Sequence, residues 1–122
     1  MKANKKTVVI GASLKPERSS HEAVLKLKRN GHEVIAIGLR EGDIEGIKIL
    51  KGKPEIKEVD TVTLYLNAKR QKEMEEYILS LDPKRIIFNP GAENLPFMER
   101  LIGKGIEAIE ACTLTMLAIG IY

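Results

Sequence analysis

A chain of 122 residues with 43% hydrophobic residues is long enough for one globular domain, and we expect residues 1–122 to form a single domain. The net charge of +3 comes from interspersed basic and acidic residues, and aromatic residues make up only 4%, so the sequence excludes the basic, base-stacking surface of a nucleic-acid-binding protein. The longest apolar stretch, Leu114–Tyr122, is far shorter than the roughly 20 residues of a membrane span. No signal peptide is visible and Cys112 is the only cysteine, so we expect a cytoplasmic protein that binds no membrane.

The first predicted element is a strand at Thr7–Ile10, where four consecutive β-branched residues suit a strand that is buried on both faces. It is followed by the small residues Gly11, Ala12 and Ser13, which would let a ligand approach the backbone closely. Any parallel α/β domain needs a tight turn at this place, so the turn is either structural or ligand-binding. Ser13 stands where the second glycine of a G-x-G-x-x-G motif would be, which weakens an ordinary dinucleotide site.

A helix is predicted to begin near Ser19 or Ser20, because Ser19 and Glu22 have the spacing of a capping box. The unpaired N–H groups at a helix start and the positive end of the helix dipole favour an anion such as a pyrophosphate. Lys15 and Arg18 add positive charge at the same place. Because a purely structural turn has no reason to gather cations, the sequence favours a phosphate site here.

The remaining elements alternate between strands and helices. The sequence predicts strands at Glu33–Ile37, Thr61–Leu66, Arg85–Phe88 and Gly105–Ile109, and helices at Glu22–Asn30, Ala68–Ser80, Leu95–Ile102 and Thr113–Ile119. Between them, Gly38–Pro54 contains a short apolar stretch, Ile47–Leu50, that suits a small strand or an edge hairpin. Helical connections imply right-handed crossovers, so we expect an α/β, three-layer Rossmann-like domain with a five-stranded, mainly parallel sheet.

Several short motifs have a recognisable order and spacing along residues 6–117. They are Val9-Ile10-Gly11-Ala12-Ser13, the P-x-R-x-S spacing of Pro16, Arg18 and Ser20, Gly31-His32-Glu33-Val34, Gly46-Ile47-Lys48, Val59-Asp60, Gly91, and Gly103 to Cys112. In this order the chain resembles the stand-alone CoA-binding domain family, whose fold is shared with the amino-terminal domain of the succinyl-CoA synthetase α subunit. It departs from the family pattern at Gly38, Asn89 and Ala111, where an asparagine, a glutamine and a basic residue are common.

The resemblance implies a module that binds CoA or an acyl-CoA across the carboxyl ends of the strands. The residues implied to hold the phosphates are Gly11, Ala12, Ser13, Arg18 and Ser20, with Lys15 as a further cation. The ends of the second to fourth strands would frame the adenosine and the pantetheine, and there we expect contacts from Gly38, Arg40, Asn89 and Gly91.

Residues for catalysis are sparse. His21 and His32 have no second ligand at metal spacing, and His21 is the better candidate for a ligand contact because it lies in the first helical turn. Cys112 is either a thiol that exchanges with CoA or a small buried residue. We therefore expect a binding protein that is non-catalytic or acts with an acyl-transferring partner, with a homo-oligomer through the apolar tail as one arrangement.

Two other classes of protein remain open from the sequence. One is an NADP-binding oxidoreductase or regulator of the same fold. An NAD site usually has a carboxylate at the end of the second strand, whereas Arg40 here suits a phosphorylated ribose, which both CoA and NADP carry. The other is an interaction module that binds no nucleotide.

Overall fold

The computed structural model describes residues 4–122. Its strands are β1 (Thr7–Ala12), β2 (Val34–Gly38), β3 (Gly42–Ile44), β4 (Ile47–Leu50), β5 (Thr61–Leu64), β6 (Arg85–Phe88) and β7 (Glu107–Glu110). Its helices are α1 (Ser19–Arg29), α2 (Ala68–Gln71), α3 (Glu75–Ser80), α4 (Leu95–Gly103) and α5 (Thr113–Ala118). None of these helices combines the length and the apolar character that crossing a membrane requires.

The strands form one sheet in the order β3-β4-β2-β1-β5-β6-β7. The strand β1 lies in the middle and is parallel to both of its neighbours, with Val8 paired to Ile35 of β2 and to Val62 of β5. The chain leaves β1 first towards β2 and later towards β5, so the strand order reverses at β1. In open α/β sheets, ligands bind at the carboxyl ends of the strands at such a point.

The α/β architecture and the mainly parallel sheet are confirmed, but the predicted number of five strands is wrong because the sheet has seven. The two additional strands are the hairpin of β3 and β4, which adds to the edge beyond β2 through the parallel pairing of Ala36 with Ile49. Its two-residue turn, Glu45-Gly46, has positive φ at both positions, 46° and 89°. This is the backbone of a type I′ turn, which matches the twist of the strands that it joins.

Each face of the sheet carries its own layer of helices and its own part of the core. On one face, Val8 and Ile10 pack with residues of α3 and α4 such as Ile78 and Phe97. On the other face, Val9 packs with residues of α1 and α5. Since Val8, Val9 and Ile10 are all at most 1% exposed, the prediction that β1 is buried on both faces is confirmed, and the fold has three layers.

The predicted helix at residues 68–80 is interrupted. A 3-10 turn, Lys72–Met74, separates α2 from α3. The side chain of Gln71 is fully buried there, and its amide nitrogen donates to the carbonyl oxygens of Leu66 at 2.8 Å and Ala92 at 2.7 Å. Its amide oxygen accepts a hydrogen bond from the Asn94 side chain at 2.8 Å. These bonds fasten α2 to the loop before α4.

Candidate ligand-binding site

The strand β1 ends in an irregularity at Gly11, where the pairing with β2 shifts between Ile10 and Ala12. Gly11 has a φ of +96°, and a Cβ atom added there would lie 3.1 Å from both the carbonyl carbon and the Cβ of Tyr65. A side chain is therefore disfavoured by the backbone conformation and by a protein neighbour. Packing thus gives Gly11 a reason of its own, and the close approach of a ligand that the sequence suggests there stays a prediction.

The loop after β1 is held by its own polar groups. The Ser13 hydroxyl accepts a hydrogen bond from the Lys15 amide at 3.1 Å, and the Lys15 carbonyl accepts one from the Arg18 amide at 3.0 Å. The Ser13 carbonyl lies 2.8 Å from Nδ1 of His21 on α1. Nδ1 of His21 thus contacts the loop itself, and the ligand contact expected of His21 stays a prediction.

The helix α1 begins at Ser19, as predicted, but the predicted capping box is wrong. Arg18 is the N-cap residue and makes no side-chain capping bond, since the turn from Lys15 to Arg18 carries the chain directly into the helix. The Ser19 and Ser20 amides have no acceptor in the part of the chain that the structure describes. Two N–H groups and the positive end of an 11-residue helix are thus available to an anion.

A cleft of about 970 Å³ opens beside this loop, at the carboxyl ends of β1, β2 and β5. Most of the residues predicted from the sequence line it together, namely Gly11, Ala12, Ser13, Lys15, Arg18, Ser20, Gly38 and Arg40. The cleft therefore lies where the strand order reverses, and its volume is of the size that accommodates small-molecule ligands and cofactors.

Positive charge predominates in the lining of the cleft. Its cations are Lys15, Arg18, Arg40, Lys53 and Arg70, whereas its carboxylates are Glu17 and Glu73. Within residues 4–122, none of these cations lies in an ion pair. Lys53 and Arg70 were not predicted from the sequence. The available signal for Lys53 was the apolar stretch that forms β4, because β4 is parallel to β2 and the carboxyl ends of both strands lie on the same side of the sheet.

Gly38 lets β1 and β2 approach each other at the floor of the cleft. A Cβ atom added at Gly38 would overlap the Ala12 carbonyl oxygen and would lie 3.0 Å from a methyl group of Ile49. Its φ is not in the left-handed region, so the constraint is purely one of space. The glycine that departs from the family pattern is thus required by the packing of this chain.

Asn89 and Gly91 do not line the cleft. The Asn89 side chain is 1% exposed and donates to the Thr63 hydroxyl at 2.6 Å and to the Leu64 carbonyl at 2.9 Å. Its oxygen accepts a hydrogen bond from the Thr113 amide at 2.9 Å, so that it ties β5 and β6 to the start of α5. Gly91 is exposed with a φ of +93°. The ligand contacts expected of Asn89 and Gly91 stay predictions.

Cys112 is half-buried at the N-cap of α5 and does not line the cleft. A hydrogen bond with the Thr115 side chain lowers the pKa of its thiol, and the backbone amides of Thr115 and Leu114 act in the same direction. It occupies the N-cap position of this short helix without a side-chain capping hydrogen bond.

Tyr65 lines the cleft, but its hydroxyl is buried and has no hydrogen-bond partner within residues 4–122. The neighbouring hydroxyls of Thr63 and Thr113 bond each other, with 2.8 Å between their oxygens. Burial raises the pKa of Tyr65 to about 12, although the hydroxyls of Thr113 and Thr63 offset part of the rise. The phenol is therefore neutral in the folded protein well above the pH at which a free tyrosine ionises.

Replacing Tyr65 with phenylalanine should change the free energy of unfolding at neutral pH by no more than about 1 kcal/mol, because the hydroxyl has no partner to lose. In the unfolded chain the phenol ionises near pH 10, whereas the folded phenol does so only near 12. Its contribution to stability is thus complete below about pH 10 and is lost as the pH rises towards about 12. Urea unfolding below and above pH 10 should show that the free energy of unfolding falls less in Tyr65→Phe than in the wild type as the pH rises. An equal fall in both proteins would contradict the raised pKa of Tyr65.

A model of the CoA binding domain family matches residues 5–118 of this chain. The structure is similar to a crystal structure of an uncharacterized protein, with 45% sequence identity, a TM-score of 0.96, and coverage of 99% of this chain and 100% of that chain. A search of curated proteins gives no match.

Two solved structures at lower identity share the fold. The protein cell-free ID.343 from Thermus thermophilus is 18% identical, with a TM-score of 0.83 and coverage of 97% of this chain and 91% of that chain. A hypothetical protein from Pyrococcus horikoshii OT3 is 21% identical, with a TM-score of 0.82 and coverage of 92% of this chain and 80% of that chain. Because the family match covers residues 5–118, nearly the whole length of the chain, the chain belongs to the CoA binding domain family.

Proposed function

We propose that this protein binds CoA, or an acyl-CoA, in the cleft at the carboxyl ends of β1, β2 and β5. The observation that carries the proposal is the set of cations around one cleft, beside a helix start with free amides. CoA carries a diphosphate and a 3′-phosphate, so it needs positive charge at two places. The diphosphate is assigned to the loop from Gly11 to Ser20, with Arg18 as its charged contact.

The 3′-phosphate is assigned to Arg40 and Lys53. These two cations line the side of the cleft that is formed by the segments after β2 and β4. The two carboxylates of the lining, Glu17 and Glu73, come from other segments. The pantetheine is assigned to the opposite side, where Tyr65, Leu66 and Met74 supply a more apolar wall. The two sides differ in charge, and this difference favours one orientation of the ligand.

The protein is proposed to bind without turning over its ligand, unless a partner acts on it. General acid–base and nucleophilic catalysis need a reactive side chain with a base in reach. The described lining contains no histidine and no cysteine, and its two carboxylates come from different walls. The thiol end of the ligand would then be handled by a second protein or a second subunit.

Isothermal titration calorimetry with CoA, dephospho-CoA, NADP and NAD tests the proposal. CoA should bind most tightly, and dephospho-CoA should bind about tenfold or more weakly, because it lacks one charge-assisted phosphate contact. Tighter binding of NADP than of CoA would replace the proposal with the NADP-binding alternative. Incubation with acyl-CoA thioesters should give no hydrolysis above background.

A further inference from the structure

His21 forms a hydrogen bond with the backbone of the loop from Gly11 to Ser20, to which the diphosphate is assigned, but it does not itself line the cleft. Its Nδ1 atom lies 2.8 Å from the Ser13 carbonyl oxygen. A carbonyl oxygen only accepts hydrogen bonds, so Nδ1 must carry the proton and donate. The imidazole sits on the first turn of α1, whose position is fixed by packing on the sheet. The Ser13 carbonyl is thus directed towards α1.

The direction of the Ser13 carbonyl sets the direction of the Leu14 amide. The two groups belong to one planar trans peptide, since the described chain contains no cis peptide bond, and they point to opposite sides of it. The Leu14 N–H therefore points away from His21. It has no acceptor within residues 4–122, whereas the next amide, that of Lys15, is taken by the Ser13 hydroxyl. Leu14 itself lines the cleft.

The opposite orientation of this peptide would harm anion binding. It would turn the Ser13 carbonyl oxygen, with its partial negative charge, towards the site assigned to the diphosphate. It would also turn the Leu14 N–H towards α1. The Leu14 side chain gives a second point of attachment, since a Cβ atom added at Gly42 on β3 would lie 2.6 Å from its methyl carbons. His21 is the attachment that acts on the peptide group directly.

We infer that His21 is a positioning residue, which holds the Ser13–Leu14 peptide so that the Leu14 N–H donates to a phosphate of the ligand. The inference rests on the proposed function, because it concerns the loop assigned to the diphosphate. It requires the hydrogen on Nδ1 and requires neither a charge on the ring nor contact between the ring and the ligand.

Three substitutions of His21 test this role. The side-chain nitrogen of asparagine is separated from Cα by the same number of bonds as Nδ1 of histidine. The side-chain nitrogen of glutamine lies one bond further from Cα. Affinity for CoA, measured by calorimetry, should therefore stay near that of the wild type in His21→Asn. It should fall about three- to tenfold in His21→Gln and His21→Ala, as expected for the loss of one orienting hydrogen bond.

The chemical shift of the Leu14 amide proton distinguishes this role from a general contribution of His21 to stability. In ¹⁵N-resolved spectra of the wild type and of His21→Asn, saturation with CoA should shift the Leu14 amide proton downfield. In His21→Ala this shift should be lost, whereas the Ser19 and Ser20 amides still respond. Equal affinities in the three variants, or an unchanged Leu14 response in His21→Ala, would overturn the inference.

Failure of the proposed function can be told apart from failure of this inference. Absence of CoA binding by the wild type refutes the function. If the wild type does not bind CoA, inorganic pyrophosphate is titrated instead. Affinities for pyrophosphate that are similar in the wild type and His21→Asn, and lower in His21→Gln and His21→Ala, would support the role of His21. A long-range ¹H–¹⁵N spectrum of the unliganded protein should show a protonated Nδ1, and an unprotonated Nδ1 would refute the role of His21 whatever the ligand.

Discussion

Replacing Arg18 with alanine should weaken CoA binding by roughly ten- to a hundredfold. Arg18 lines the cleft, is exposed, and is the N-cap residue of α1, directly before the two residues whose amides have no acceptor in the described chain. A hydrogen bond between a guanidinium and a phosphate is charge-assisted and contributes roughly 1.5 to 3 kcal/mol. Calorimetric titration of both proteins with CoA measures the difference, which should shrink as the salt concentration rises.

Arg29→Ala is the matched control for Arg18→Ala. It removes the same side chain from the opposite end of α1, where Arg29 contacts Glu45 at 3.4 Å outside the cleft. Both substitutions lower the net charge equally, so a general electrostatic effect would appear in both. CoA affinity should stay near that of the wild type in Arg29→Ala. Equal weakening in the two variants would contradict the assignment of Arg18 to the phosphate.

Replacing Gly38 with alanine should lower the free energy of unfolding by about 1–3 kcal/mol, the usual cost of overpacking. The added methyl group would overlap the Ala12 carbonyl oxygen, and a backbone atom cannot move aside as a flexible side chain can. The ends of β1 and β2 must therefore separate. Because Ala12 and Gly38 both line the cleft, CoA affinity should fall together with stability. Urea unfolding and calorimetry measure the two effects.

Gly103→Ala is the control for Gly38→Ala. Gly103 is the last residue of α4, and an added Cβ atom there would meet nothing within 4 Å. Alanine in a helix is favoured over glycine, so this variant should equal the wild type or exceed it by up to about 1 kcal/mol. If Gly38→Ala were as stable as Gly103→Ala and bound CoA with unchanged affinity, the prediction would be contradicted.

The sequence predicted those parts of the fold whose signals are local. The β-branched run of β1 and the apolar run of β6 fix buried strands by themselves, and β6 was predicted at the residues where it occurs, Arg85–Phe88. The small residues after β1, followed by a helix start, likewise identified the loop that lines the cleft. These features depend on neighbours within a few positions of the chain, which sequence patterns record directly.

The remaining features depend on contacts between distant segments. The turn of the β3–β4 hairpin, Glu45-Gly46, lacks the Asn-Gly or Asp-Gly signal of a type I′ turn, and the Asp43 side chain supports it by accepting a hydrogen bond from the Gly46 amide at 2.7 Å. The break after α2 coincides with the burial of Gln71 against the loop before α4, which helical periodicity does not reveal. Arg70 lies in α2 and Lys53 follows β4, and both line the cleft.

The sheet ends on β3 at one side and β7 at the other, and this order has a consequence for the behaviour of the protein at high concentration. Exposed edge strands are templates for aggregation when they are long, flat and apolar. Here β3 is only three residues long, and β7 begins and ends with the exposed carboxylates of Glu107 and Glu110. Strand addition is disfavoured at both edges, so we expect the sheet to resist edge-to-edge association when the protein is concentrated.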